Sequence, residues 1–201
     1  SKGNIWNGTI GGGLNKYDSK TDKFVSYQHR TEDPNSIADN FINSIYEDID
    51  GTLWIGTQFR GLVHFDPKTT KFTRYNSNGL VNSFVNCTLR DSENNFWVGT
   101  SGGLHLFDTK KKTFKALLYN ESDPKSLSHP YVYTIIEDSK KRIWVATRGG
   151  GINLLDRKTR TFTRFKNQPD NPGSLSGNYV LALSEDITGN IWIGTENGGL
   201  S

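Results

Sequence analysis

The 201-residue chain contains no methionine, and its single cysteine, Cys87, cannot close an internal disulfide, so cysteine usage leaves the redox compartment open. A chain that begins at Ser1 without any Met does not start at a natural initiation codon. The expectation is a segment cut or cloned from something longer, with any targeting signal left behind. Long apolar runs are missing as well. None approaches the roughly 18 residues of a membrane helix, and no charged-then-apolar leader precedes the first strand-like stretch, which predicts a soluble segment without membrane contact. Neither sign of charge dominates: Lys and Arg number 24 against 21 Asp and Glu, a net +3. That mixed surface lacks the basic stripe of a nucleic-acid binder, so nucleic acid is not an expected partner.

Helix-length periodicity is absent too. The apolar residues come in runs of about five, separated by turns rich in Asn, Ser, Thr and Gly, and this pattern predicts many short strands. With 21 glycines but also 33% hydrophobic and 12% aromatic residues, the chain can still bury a sizeable core.

What is present is a recurring phrase. Residues 53–57 read LWIGT, and the same shape returns as FWVGT at 96–100, IWVAT at 143–147 and IWIGT at 191–195. The tryptophans fall at Trp6, Trp54, Trp97, Trp144 and Trp192, at intervals of 48, 43, 47 and 48 residues. Self-similarity at about 40–50 residues marks propeller blades, four-stranded antiparallel sheets that bury their faces only by stacking on one another. Each unit offers four strands, A to D. Strand A ends in an acidic residue, as in FINSIYED (41–48), FVNCTLRD (84–91), YVYTIIED (131–138) and YVLALSED (179–186); strand B is the Trp phrase; strand C is of the type GLVHFD; strand D follows a turn such as DPKT or DRKT.

The expected fold is therefore an all-β propeller of four-stranded antiparallel blades. Residues 1–40 form an incomplete blade, 41–83, 84–130 and 131–178 complete ones, and 179–201 a second incomplete one. A closed four-blade ring is not expected, because residues 5–9 and 191–195 would compete for one B position. The open arc should seek other blades of a parent chain or a second copy of itself. The turns fit this reading. DIDGTLW and DITGNIW put Asp and Gly where an A–B hairpin needs a self-bonded side chain and a positive φ, and the glycine runs at 11–13, 102–103, 149–151 and 198–199 serve the B–C turns. None of these runs matches a phosphate-cradling loop.

The unit SIYEDIDGTLWIGTQFRGLVHFDPKTTKFTRY (44–75), with lead-ins such as DPKSLSHPYV and NPGSLSGNYV, resembles the two-component regulator propeller repeat. That resemblance spans the chain. It implies the periplasmic sensor region of a hybrid histidine kinase of the kind known from glycan-degrading Bacteroidetes, in which two seven-bladed propellers and a β-sandwich precede a membrane helix and the kinase parts. It implies a non-catalytic role in signal transduction, with oligosaccharides as ligands. The sandwich and the kinase motifs are not in this chain, so about four blades of a larger ring are expected.

Candidate chemistry is sparse, and no catalytic, cofactor or metal site is expected. The pairs Glu47/Asp48, Glu137/Asp138 and Glu185/Asp186 recur in several units, whereas an acid–base pair is needed once. They read as a turn-capping Asp beside a solvated Glu. Asp48, Asp50 and Gly51 lack the later ligands of a calcium loop. Cys87 shares a column of small strand-A residues with Ser44, Thr134 and Ala182 and reads as packed. His29, His64, His105 and His129 have no metal-ligand spacing.

What remains are places where the repeat is broken. The D–A and B–C connections of a propeller emerge on one face, and side chains there vary freely. Gln58, Phe59 and Arg60 stand where other units have Ser101, Arg148 or Glu196 and Asn197. Ahead of strand A lie Asn40, Phe41, Asn43, His129, Tyr131, Tyr133, Asn178 and Tyr179. Aromatic faces among Arg, Asn and Gln donors suit sugar rings. The expected ligand face is Gln58, Phe59, Arg60, His129, Tyr131, Arg148, Glu196 and Asn197. Two rivals are a propeller lyase or hydrolase, which would need a catalytic cluster unique to one blade, and a protein-docking or dimerising scaffold.

Overall fold

The computed structural model describes residues 4–201, and among them there are strands and turns but no helix. The strands form five antiparallel sheets. The first sheet has β1 (Ile5–Thr9), β2 (Gly13–Asp18) and β3 (Lys23–Tyr27). The second has β4 (Ile42–Glu47), β5 (Leu53–Thr57), β6 (Leu62–Asp66) and β7 (Lys71–Tyr75). The third has β8 (Val85–Arg90), β9 (Phe96–Thr100), β10 (Gly103–Asp108) and β11 (Thr113–Leu117). The fourth has β12 (Val132–Glu137), β13 (Ile143–Thr147), β14 (Gly151–Asp156) and β15 (Thr161–Phe165). The fifth has β16 (Val180–Glu185), β17 (Ile191–Thr195) and β18 (Gly199–Leu200). The middle three sheets are the expected four-stranded blades, each in plain A-B-C-D order.

Strands β4, β8, β12 and β16 lie side by side as the inner strands of successive sheets. Two asparagines stitch them: Asn43 Nδ2 donates to the Val85 carbonyl at 3.0 Å and Asn86 Nδ2 to the Val132 carbonyl at 2.8 Å. A bulge at the start of each inner strand frees those residues from the ladder.

The core lies between sheets, and the Trp phrase builds it. Trp54 of β5 packs on Phe96 and Phe107 of the following sheet, with ring centroids 4.9 and 5.5 Å away. Trp97 joins Ile143, Val145, Leu155 and Phe162, and Trp144 joins Val180 and Ile193. Trp54, Trp97 and Trp144 are 4, 2 and 8% exposed, whereas Trp192 is 45% exposed because no described sheet follows it. The glycine of the phrase is where the next sheet leans in. A Cβ on Gly99 would stand 2.6 Å from Val132 Cγ1, and one on Gly56 would stand 2.8 Å from Val85 Cγ1. Across the A–B ladder from Gly56, Gly99, Ala146 and Gly194 stand Ser44, Cys87, Thr134 and Ala182, the column of small residues read from the sequence. Burial there pushes the Cys87 thiol up to about 12, which leaves it protonated and packed.

The Asp of each A–B turn does more than cap. Six residues ahead of the Trp, it accepts the indole N–H: Trp54 to Asp48 at 3.0 Å, Trp97 to Asp91 at 2.8 Å, Trp144 to Asp138 and Trp192 to Asp186 both at 2.9 Å. A buried indole needs an acceptor, and the turn carboxylate is the one in reach.

The solvated glutamate expected beside that Asp is corrected at Glu137 and Glu185. Glu137 accepts from Ser92 N at 2.7 Å and Ser92 Oγ at 2.6 Å in the preceding sheet, and Glu185 does the same to Ser139 at 2.7 and 2.6 Å. These glutamates clasp one blade to the turn of the one before. In the third sheet Arg90 stands in the glutamate's place and reaches Asp48, with Nε 3.1 Å from Oδ1 and NH2 2.5 Å from Oδ2. There the residue after the turn Asp is Ile49, not Ser, so the arginine takes the carboxylate where no hydroxyl is offered.

Candidate functional site

At the opposite end from those turns, the loops entering strand A and the B–C turns meet. Phe41, Phe84, Tyr131 and Tyr179 each stand one residue ahead of an inner strand. Their carbonyls accept the backbone N–H of Gln58, Ser101, Arg148 and Glu196, at 3.0, 3.0, 2.9 and 2.9 Å. An aromatic residue and a variable B–C residue are thereby paired in four successive sheets.

The rings touch across sheets. Phe59 lies between Phe41 and Phe84, with centroids 5.5 and 6.3 Å away, and Phe84 is 6.1 Å from Tyr131. The Arg148 guanidinium sits over the Tyr131 ring at 5.8 Å and lies 3.9 Å from Glu196. Both ends of that ion pair are well exposed, where such a pair contributes little, so Arg148 keeps its donors for another acceptor. Phe59 and Tyr179 are 55 and 49% exposed, a large apolar surface beside polar groups. The band can stack on a flat apolar face and bond hydroxyls or acids at its Arg148 end.

Other sequence candidates turn out to hold the loops. His129 Nδ1 accepts the Tyr131 N–H at 3.1 Å, as Asp39 Oδ1 does for Phe41 and Asn82 Oδ1 for Phe84. The ring is therefore the neutral Nε2–H tautomer, and burial, with Lys166 nearby, pushes its pKa down. Asn40 Oδ1 accepts from His29 N and Asn178 Oδ1 from Asn167 N, while their carbonyls accept from Gly11 and Gly13 and from Gly149 and Gly151. Asn43 is the inter-strand stitch described above, and Tyr133 stands exposed on β12. Asn197 is exposed beside Glu196. Arg60 parts from Phe59 and lines a separate cleft with His29, Thr31, Ala38, Arg74 and Asn76.

Sequence reasoning missed Phe84, which links Phe59 to Tyr131, because its lead-in VNSF lacks the D-P-x-S form of its counterparts. The detectable signal was position: it stands one residue before the first valine of strand A, as Tyr131 and Tyr179 do. Asp39 was missed as well. Its Oδ2 accepts the Phe59 N–H at 2.8 Å and so sets where that ring points.

The family described as two component regulator propeller matches residues 36–59, 79–102, 126–149 and 174–197. Each match runs from a D–A loop through strands A and B to the B–C turn. No curated protein matches the chain. Among solved structures, an extracellular domain assigned to a hybrid two component system of B. thetaiotaomicron is 28% identical, with a TM-score of 0.57 over 98% of this chain and 31% of that one. A second such domain from B. thetaiotaomicron is 25% identical, with a TM-score of 0.81 over 98% of this chain and 25% of that one. The virginiamycin B lyase of Staphylococcus aureus, at 15% identity and a TM-score of 0.68 over 100% of this chain and 66% of that one, shares the fold alone. The chain thus spans less than a third of the length of the two extracellular domains it matches.

Proposed function

Because this chain is built of two-component regulator propeller repeats, we propose that it is a non-catalytic part of the periplasmic sensor region of a hybrid two-component regulator, and that an oligosaccharide binds across the aromatic band. The observation that carries this reading is the unbroken row Phe41, Phe59, Phe84 and Tyr131, ended by Arg148. Sugar rings present a flat C–H face to such a row and hydroxyls to donors at its rim. A binding role without catalysis is supported by the fate of the recurring carboxylates. Asp48, Asp91, Asp138 and Asp186 are spent on indoles, and Glu137 and Glu185 on the neighbouring turn.

Phe59 gives the test. Its counterparts Gly11 and Gly149 show that the turn folds without a side chain there. In the intact sensor, Phe59→Gly is expected to weaken oligosaccharide binding about tenfold or more, the worth of one stacked ring. Titration calorimetry checks this, and the melting temperature should move little. Unchanged affinity would place the ligand elsewhere.

A second reading, a docking or dimerising scaffold, is favoured by the two ends. Ile5 and Phe24 at one end and Trp192 and Leu200 at the other are exposed where inner sheets bury their equivalents. Surfaces of this kind seek a partner, either further repeats of a larger, seven-bladed ring or a second copy. The 201-residue chain alone is expected to self-associate. Light scattering that gives a monomer mass over a hundredfold range of concentration would reject this.

A further inference from the structure

The cleft that Arg60 enters differs from its counterpart in the fourth sheet. It has a volume of about 200 Å³ and is lined by His29, Thr31, Ala38, Arg60, Arg74 and Asn76, with no acidic side chain among them. Two arginines therefore line one space, and among the described residues neither forms a salt bridge. Arg74 NH2 donates to the Ser36 carbonyl at 2.9 Å. Arg164, at the same place in the fourth sheet, is far more fully engaged. Its Nε donates to Ser126 O and its NH2 to Asp123 O, Ser126 Oγ and Leu127 O, all at 2.7–3.1 Å. The residue there that corresponds to Arg60 is Gly150. The second sheet thus combines an added arginine with one that makes a single side-chain donation, to the Ser36 carbonyl. Asp39, beside Ala38 in the loop, forms no salt bridge with either arginine, and its two oxygens accept Phe41 N and Phe59 N. His29, which lines the same cleft, donates Nδ1–H to the Ile37 carbonyl at 2.9 Å.

We propose that this cleft binds an oxyanion, a sulfate or carboxylate group carried by the sugar that lies on Phe59. Forked guanidinium donors suit such groups, and two like charges sharing a cleft gain from a counter-ion between them. The proposal rests on the aromatic band being the ligand face. The divergence of Phe59 and Arg60 from adjacent positions would then let one sugar unit present its apolar face to the first and its anion to the second.

The test separates the two ideas. The intact protein is titrated with inorganic sulfate, glucuronate and glucose while the His29 ring signals are followed by NMR, at constant ionic strength. Sulfate and glucuronate are expected to shift His29 saturably and glucose to leave it unmoved. Arg60→Gly, which copies Gly150, should weaken both anions at least about tenfold. Phe59→Gly should weaken glucuronate and not sulfate. If sulfate binds while Phe59→Gly leaves glucuronate unaffected, the cleft stands and the shared ligand face fails. No saturable shift with either anion, or equal binding by wild type and Arg60→Gly, would overturn the proposal.

Discussion

Trp97→Ala is expected to destabilise the chain by about 3–5 kcal/mol, the usual cost of deleting a large core ring. Trp97 is 2% exposed and anchors the cluster with Leu104, Ile143, Val145 and Phe162, so its loss opens the joint between the third and fourth sheets. The change also takes the indole donor from the enclosed Asp91 carboxylate, which keeps the donations of Glu93 N, Asn95 N and Asn95 Nδ2. Trp192→Ala provides the contrast. Its ring is 45% exposed, and the same substitution should cost about 1 kcal/mol or less, although the phrase around it is the same. Urea unfolding of both variants checks the difference. Equal midpoints would mean that the phrase does not act through the following sheet. In an assembly that covers the fifth sheet, the cost of Trp192→Ala should rise toward that of Trp97→Ala, which makes this residue a reporter of what sits there.

The fold was legible because the period is written in a residue that packing cannot spare. A tryptophan recurring every 43 to 48 residues, with a glycine, or Ala146 in one unit, two residues later, records the joint between sheets directly. The strand order followed from counting four apolar runs per period. What could not be read were side-chain bonds between units. Glu137 and Ser92 lie 45 residues apart, and nothing local distinguishes a clasping glutamate from a solvated one. The same limit applied to the candidate face. Phe59 stood out as a broken glycine turn, but Phe84 did not, since its lead-in departs from the one that marks Phe41, Tyr131 and Tyr179. His129 and Asn178 resembled ligand donors because capping a loop and binding a hydroxyl call for the same chemistry, and only the observed partner tells them apart. Arg60 was grouped with Phe59 by adjacency, while the chain turns their side chains to different neighbours.

Arg90→Glu is expected to cost about 3 kcal/mol, and Ile49→Ser in the same chain should return a large part of it. Arg90 and Asp48 are largely enclosed, with side chains 17 and 12% exposed, and removing one partner of such a pair leaves the other without its counter-charge. Burial raises the Asp48 pKa, but the Arg90 hydrogen bond and the donations of Ile49 N and Trp54 outweigh it, so the carboxyl sits below its ordinary value and is ionised at neutral pH. A glutamate at position 90 would bring a second carboxylate against it, with Ile49 offering no hydroxyl. Serine at 49 recreates the turn that Glu137 and Glu185 grip through Ser92 and Ser139, two bonds each to N and Oγ. Ile49→Ser alone should be nearly neutral, because Ile49 is 102% exposed and gives up no packing. The double-mutant cycle should therefore show a coupling of about 1–2 kcal/mol, within the roughly 0.5–3 kcal/mol seen for residues in direct contact. The cost also falls with acid. Because the folded-state pKa of Asp48 is depressed, its pairing with Arg90 contributes at neutral pH and is lost as pH falls through the carboxylate range, so Arg90→Glu should cost least in acid. A cycle with no coupling, or a cost of Arg90→Glu that grows as pH falls, would show that the residue after the turn Asp and the residue before the next one are not a matched pair.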